Sequence, residues 1–316
     1  MRDREFYKEK SVCVLGASGF LGSHLVARLV PLSRKVVAFA RGSASPALEA
    51  LAGSTIVLGD VRSSSDVARA VAGADIVFAF AGRSGAINSV NDAAEDLSVN
   101  CGGLINVLDA LAGQERPARI VFPGSRLQYG KPSRLPASED DPLVPLVPYG
   151  LHKNFCEAYL QLYARRYNLS FGVARLTNPY GPWPAALYRG YNVLNTMILR
   201  AVRDEAIQVY GDGAQIRDYI YVADVVDLVL LLGQPSDNVI VNGGCGVGRS
   251  ISEVAREIVK IAGSGSVQSV AWPPGTLAVE TGDFVADIQR ARGLGWEPKT
   301  TLRHGLERTI EAARNA

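Results

Sequence analysis

The chain has 316 residues, 47% of them hydrophobic, an ordinary fraction for a globular protein of one large domain or two smaller ones. Its 33 basic and 31 acidic residues leave a formal net charge of +2, which supplies no footprint for nucleic acid or an anionic membrane and points to a small-molecule partner. No run approaches the ~18 apolar residues of a membrane span, and the start MRDREFYKEK lacks the apolar stretch of a secretory signal, so a cytoplasmic protein is expected.

Along the first half, short apolar runs alternate with amphipathic stretches: SVCVLG, HLVARLV, KVVAFA, STIVLGD, VARAVAG and DIVFAFAG. This rhythm predicts an α/β fold with a Rossmann-type, doubly wound parallel sheet, because parallel strands need crossovers that pack on the sheet. It continues through a helix at LINVLDALAG, a strand at ARIVFPGS, a long helix at KNFCEAYLQLYARRY and a strand at SFGVARLTN. The prolines and glycine of NPYGPWPAAL are then expected to halt regular structure. Beyond residue 180 helices are predicted at NVLNTMILRAV, VADVVDLVLLL and SISEVAREIVKIAG. Residues 1–177, with returning segments near 215–245, are therefore expected to form a dinucleotide-binding domain. The remainder of 178–316 reads as a smaller, mixed α/β substrate domain.

Cys13, Cys101, Cys156 and Cys245 show no C-x-x-C spacing, and His24, His152 and His304 form no i, i+4 pair, so reduced thiols and no metal site are expected. Cys156 lies one helical turn beyond Lys153 and is read as packing.

The segment Gly16-Ala17-Ser18-Gly19-Phe20-Leu21-Gly22 follows a strand and opens a helix. Glycines there let the backbone turn tightly and approach a pyrophosphate, which the helix N-terminus stabilises. A plain strand-to-helix turn is the alternative. Asp60 and Val61 end the third strand, where a carboxylate accepts a hydrogen bond from an adenine amino group while Val61 covers the ring; a capping aspartate is the other reading. At the end of the second strand stand Phe39-Ala40-Arg41-Gly42, without the acid that holds a ribose 2′-hydroxyl. Arg41 then suits a 2′-phosphate, unless it is only a solvated surface residue, so NAD and NADP both remain open, with NADP favoured.

Tyr149 and Lys153, four apart at a helix start, share a face. A free tyrosine, with a pKa of about 10, is a poor base at neutral pH, and a nearby ammonium favours its phenolate. Ser125 ends the preceding strand at the sheet edge where α/β ligands bind.

Together these residues resemble the extended short-chain dehydrogenase/reductases, the NAD-dependent epimerase/dehydratase family, over nearly the whole chain. Within it the chain resembles the UDP-glucose 4-epimerases. The resemblance implies Ser125, Tyr149 and Lys153 as the catalytic set and Asp60 as the adenine-binding acid. It implies that Asn100 braces the active-site strands, that Ala81 and Gly82 line the cofactor, and that Pro179 and Tyr180 lie beside the nicotinamide. On the substrate side it implies Arg126 beside Ser125, Asn178 and Asn192 on the sugar nucleotide, Tyr210 near the base and Arg217 on the diphosphate. A guanidinium facing a diphosphate gains charge-assisted, bidentate hydrogen bonds, whereas a surface salt bridge is the alternative for Arg217 and a turn role for Asn178. The tryptophans Trp183, Trp272 and Trp296 are assigned mainly to packing. A homodimer through the helices after Val90 and after Tyr149 is also implied.

Members of the family that dehydrate or decarboxylate the sugar resemble one another in an acid one or two residues after the active-site serine or threonine. Here the run is Ser125-Arg126-Leu127-Gln128, with none. That leaves a nucleotide-sugar 4-epimerase, with an NADPH-dependent 4-ketoreductase of a 4-keto-6-deoxy nucleotide sugar as alternative and a noncatalytic sensor as a third reading. One departure concerns the substrate: where the compared epimerases have a second diphosphate arginine, this chain has Glu280, so Arg189 or Arg249 substitutes or the donor sits differently.

Overall fold

A computed structural model describes residues 2–42, 51–183 and 193–315. The strands are β1 (Ser11–Leu15), β2 (Lys35–Ala40), β3 (Thr55–Leu58), β4 (Ile76–Ala79), β5 (Arg119–Ser125), β6 (Phe171–Leu176), β7 (Asn178–Tyr180), β8 (Ala206–Tyr210), β9 (Ile216–Tyr221), β10 (Val239–Gly243), β11 (Gly248–Ser250) and β12 (Ser266–Val270). The chain divides into two compact units. One comprises residues 1–128, 147–175 and 226–241; the other comprises 129–146, 176–225 and 242–316.

The first unit is built on a seven-stranded sheet in the order β10-β6-β5-β4-β1-β2-β3. Pairing is parallel from β5 through β4, β1 and β2 to β3. Cys13 and Leu15 of β1 join one apolar cluster while Val12 and Val14 are buried as well, so both faces of the strand are covered and its sequence is an uninterrupted apolar run. Helices Ser64–Val71, Gly103–Ala112 and Pro148–Tyr167 contribute Val67, Leu104, Leu108, Leu111, Cys156 and Leu160 to that cluster. Each fully buried leucine there stabilises the fold by roughly 1.5–3 kcal/mol. The long helix Pro148–Tyr167 begins with proline, whose missing N–H would have no helical partner in the first turn, and ends at Asn168 in a left-handed conformation (φ 55°). Strand order reverses at β1 and β4, and in such sheets ligands bind beyond the carboxyl ends of the strands at that reversal.

In the second unit β11-β9-β7 and β12-β8 form two small sheets, with helices Val193–Val202, Ile251–Ala262 and Leu302–Arg314. Ser250 and Glu253 cap the middle helix reciprocally, a signal present in the sequence as S-x-x-E. Two features differ from the sequence expectation. Asn178–Tyr180, where regular structure was expected to stop, is an edge strand on β9, a position where the N–H that Pro179 lacks costs no ladder bond. Residues 129–146 belong with the second unit, tied by Tyr129, whose hydroxyl donates to Asn242 Oδ1 at 2.7 Å and whose ring packs 5.5 Å from that of Phe284.

Candidate active site

The loop after β1 has the shape a pyrophosphate requires. Gly16 adopts φ +80°, and a Cβ there would stand 2.6 Å from the backbone nitrogen of Ala81. A Cβ on Gly22 would stand 2.1 Å from the Gly16 carbonyl oxygen, so the helix Phe20–Leu29 approaches the loop as only glycine permits. Gly19 caps that helix, and among the described residues no side chain occupies the cap. The helix end thus remains suited to an anion, and the loop residues fit a dinucleotide. Ser18 and Leu21 are half-buried in this turn, and Phe20 is buried with its ring edge-on to His24.

At the adenosine end the picture is mixed. Asp60 Oδ1 accepts from Arg62 N and Nε, both at 2.9 Å, and Oδ2 from Arg62 Nη2 at 2.5 Å. Hydrogen bonding to Arg62 holds the Asp60 carboxyl down at about 2, so it stays ionised. Val61 beside it is buried, and Asn106 Nδ2 donates to its carbonyl at 3.0 Å. Arg41 is exposed directly after β2.

Ala81 and Gly82 follow β4, and Asn100 fixes the turn: its Oδ1 accepts from Arg83 N at 3.0 Å and its Nδ2 donates to Arg83 O at 3.1 Å. Asn100 lies in a π-helical turn, Ser98–Gly102, which the sequence did not announce.

Lys153 is buried, donates from Nζ to the Pro123 carbonyl at 2.7 Å, and lies 4.3 Å from the Phe122 ring centre and 5.5 Å from that of Tyr149. Burial pushes its ammonium below the ordinary lysine value. The fold therefore brings Lys153 to the ring of half-buried Tyr149 and to the strand that ends in Ser125. Ser125 Oγ accepts from Leu127 N at 3.2 Å, an arrangement that leaves its proton available for donation. Arg126 begins the short 3₁₀ turn Arg126–Gln128.

Residues missed from sequence complete the support. Gln128, fully buried, accepts from Ser125 N at 2.7 Å and donates to Glu157 Oε1 at 2.6 Å and Asn154 Oδ1 at 3.0 Å. Glu157 in turn receives Arg175 Nε at 3.0 Å and Nη2 at 2.8 Å, all within the interior. The only sequence signal was a polar residue at Gln128 between apolar positions. His152 Nδ1 lies 2.5 Å from Asp96 Oδ1, and Cys156 Sγ lies 4.0 Å from Cys101 Sγ, both pairs buried. Among the described residues no cluster of metal ligands occurs, and no helix is long and apolar enough to cross a membrane.

In the second unit, Asn178 donates from Nδ2 to the Asp218 carbonyl at 2.8 Å, and Pro179 follows it in β7. Tyr210 ends β8 exposed, with its ring 5.5 Å from that of Trp272. Arg217 is buried on β9 and bonds through Nη2 to Glu280 Oε1, while its Nη1 donates to Ile216 O at 3.0 Å and Gly282 O at 2.7 Å. Asn192 and Arg189 lie outside the described residues.

Residues 12–244 match the model of the NAD dependent epimerase/dehydratase family. The chain is 30% identical over 315 residues to a UDP-glucose 4-epimerase of Mycolicibacterium smegmatis, covering 96% of this chain and 98% of the relative. A Thermotoga maritima UDP-glucose 4-epimerase solved with UDP-glucose superposes with a TM-score of 0.89 at 28% identity, covering 96% of this chain and 99% of that one. A Thermus thermophilus UDP-glucose 4-epimerase solved with NAD gives 0.85 at 29% identity, covering 97% and 99%.

Proposed function

Because the chain belongs to the NAD dependent epimerase/dehydratase family, we propose that it is a nucleotide-sugar 4-epimerase acting through a transient 4-keto-sugar. The observation that carries this reading is the placement of the Lys153 ammonium 5.5 Å from the Tyr149 ring and bonded to Pro123, two residues before Ser125. A nicotinamide cofactor held by the Gly16–Gly22 loop would supply the hydride acceptor and donor for sugar C4. Tyr149 takes the C4 hydroxyl proton and gives it back, with Lys153 favouring its phenolate. Ser125 donates its hydroxyl hydrogen bond to the same oxygen. Asn178 and Arg217 hold the nucleotide while the sugar turns over, and Tyr210 borders the base. Leu127, in the turn after Ser125, is no acid, which argues against elimination of water from the sugar. Tyr149→Phe tests the assignment: turnover should fall at least ~100-fold with cofactor binding retained, and near-normal turnover would sink it.

Gly16 to Gly22 hold the pyrophosphate, Asp60 and Val61 the adenine, Ala81, Gly82, Asn100 and Pro179 the nicotinamide side. Exposed Arg41 beside Ala40, with no acid ending β2, favours NADP. That same arginine favours the second reading, an NADPH-dependent 4-ketoreductase, which would consume its cofactor stoichiometrically.

An apolar surface on the first unit supports a homodimer. Leu151, Phe155 and Leu162 are exposed along one side of the long helix, and Ile87, Val90 and Leu97 are exposed on neighbouring helices. A homodimer through this face would remove them from water.

A further inference from the structure

Arg217 and Arg249 stand directly opposite each other in the antiparallel pair of β9 and β11. Residues so paired share a face, and like charges placed there repel. Within the structure the repulsion is relieved by anions from the chain itself. Glu280 reaches Arg217 from an irregular segment after the 3₁₀ turn Thr276–Val279, and the Glu253 carboxyl, held down mainly by its hydrogen bonds with Ser250, also feels the charge of Arg249. Glu280 is the less committed of the two. Among the described residues its Oε1 accepts only from Arg217 and from Gly282 N at 3.0 Å, and its side chain is partly exposed, whereas Glu253 is fixed in the cap with Ser250.

A buried guanidinium flanked by a second across a strand pair is an anion seat, and two linked phosphates satisfy such a pair better than one carboxylate, through more oxygens and more charge. To the Arg217 contact already read above, we propose that Arg249 adds a second cation for the ligand's diphosphate and that Glu280 is an intramolecular anion which the diphosphate displaces. This rests on the nucleotide-sugar reading above. On displacement the partly exposed Glu280 side chain turns toward solvent. The carboxylate therefore sets the strength of nucleotide binding: it competes for Arg217 in the free protein and repels phosphate nearby.

Calorimetric titration of the NAD-saturated full chain with UDP, and with dTDP in parallel, tests this. Glu280→Gln keeps the shape and removes the charge, and should bind the nucleotide at least ~10-fold more tightly than the unaltered protein. Arg249→Ala, a change at an exposed position, should bind it at least ~10-fold more weakly, and neither should alter affinity for NAD. Thermal melting and Glu280→Ala, expected to tighten binding likewise, guard against a folding artefact. Unchanged or weaker binding by both Glu280 variants, or unchanged binding by Arg249→Ala, overturns the proposal and leaves the nucleotide-sugar reading in place. Failure of the unaltered protein and of every variant to bind either nucleotide overturns both.

Discussion

Gln128 Oε1 accepts the main-chain N–H of Ser125 at 2.7 Å, and the same side chain donates to Glu157, which is held by Arg175. The position of the serine is thereby set by a buried polar chain rather than by its own strand alone. Such a network is rigid only while every member is satisfied. Gln128→Leu strands the Ser125 N–H and part of Glu157, so stability should fall by about 1–3 kcal/mol in denaturant unfolding. Turnover should fall ~10-fold or more with little change in KM, and Gln128→Glu, which sets a second carboxylate against Glu157, should not restore it. Unchanged turnover in a folded Gln128→Leu protein would show that the serine needs no such support.

On the proposal above, Arg41 reads the 2′-phosphate of the cofactor. With no acid at Ala40, Arg41→Ala should weaken NADPH binding ~10-fold or more while changing NADH less than ~2-fold, since only the phosphate offers the guanidinium a strong partner. Fluorescence titration with both nucleotides measures this, and equal losses would remove Arg41 from phosphate recognition.

The Asp60–Arg62 pair makes a pH-dependent contribution to folding. Asp60 is held at about 2 in the folded chain, against roughly 3.9 when unfolded. A depressed carboxyl stabilises the fold above its unfolded value, and that contribution is lost as pH falls from about 4 to about 2. Asp60→Asn should therefore lower the denaturation midpoint at pH 7, modestly because the pair is largely exposed, and the gap from the unaltered protein should close toward pH 2. A gap that persists at low pH would assign the loss to something other than the carboxylate charge.

Phe155 stands 40% exposed on the long helix between Leu151 and Leu162. Phe155→Glu places a charge in the apolar face and should convert a dimer to monomers in sedimentation at micromolar concentration. A protein already monomeric, or a variant still dimeric, would place assembly elsewhere.

Much of the fold was legible in sequence because a sheet covered on both sides writes its strands as apolar runs, as in SVCVLG and KVVAFA, with amphipathic helices between. The glycine loop was equally legible, since the positive φ of Gly16 and the close approach at Gly22 leave no other residue type. Gln128 was not, because nothing local distinguishes a glutamine that faces solvent from one that meets Glu157, 29 residues away. Asn100 was identified by resemblance, yet the π turn that aims it depends on packing rather than on any residue preference visible in SVNCGG. Glu280 stood out as a departure in sequence, but its partnership with Arg217 and the cross-strand register of Arg249 required the folded chain.

The most direct test of the 4-epimerase reading follows a hydrogen atom. The protein, supplied with catalytic cofactor, is given UDP-glucose, UDP-N-acetylglucosamine and dTDP-glucose, each deuterated at C4, and the products are read by NMR. One of these should be inverted at C4 with the deuterium retained on that carbon, no exchange with solvent and no net change in cofactor. Return of all three unaltered, or activity only as stoichiometric oxidation of NADPH by a 4-keto sugar nucleotide, would contradict it.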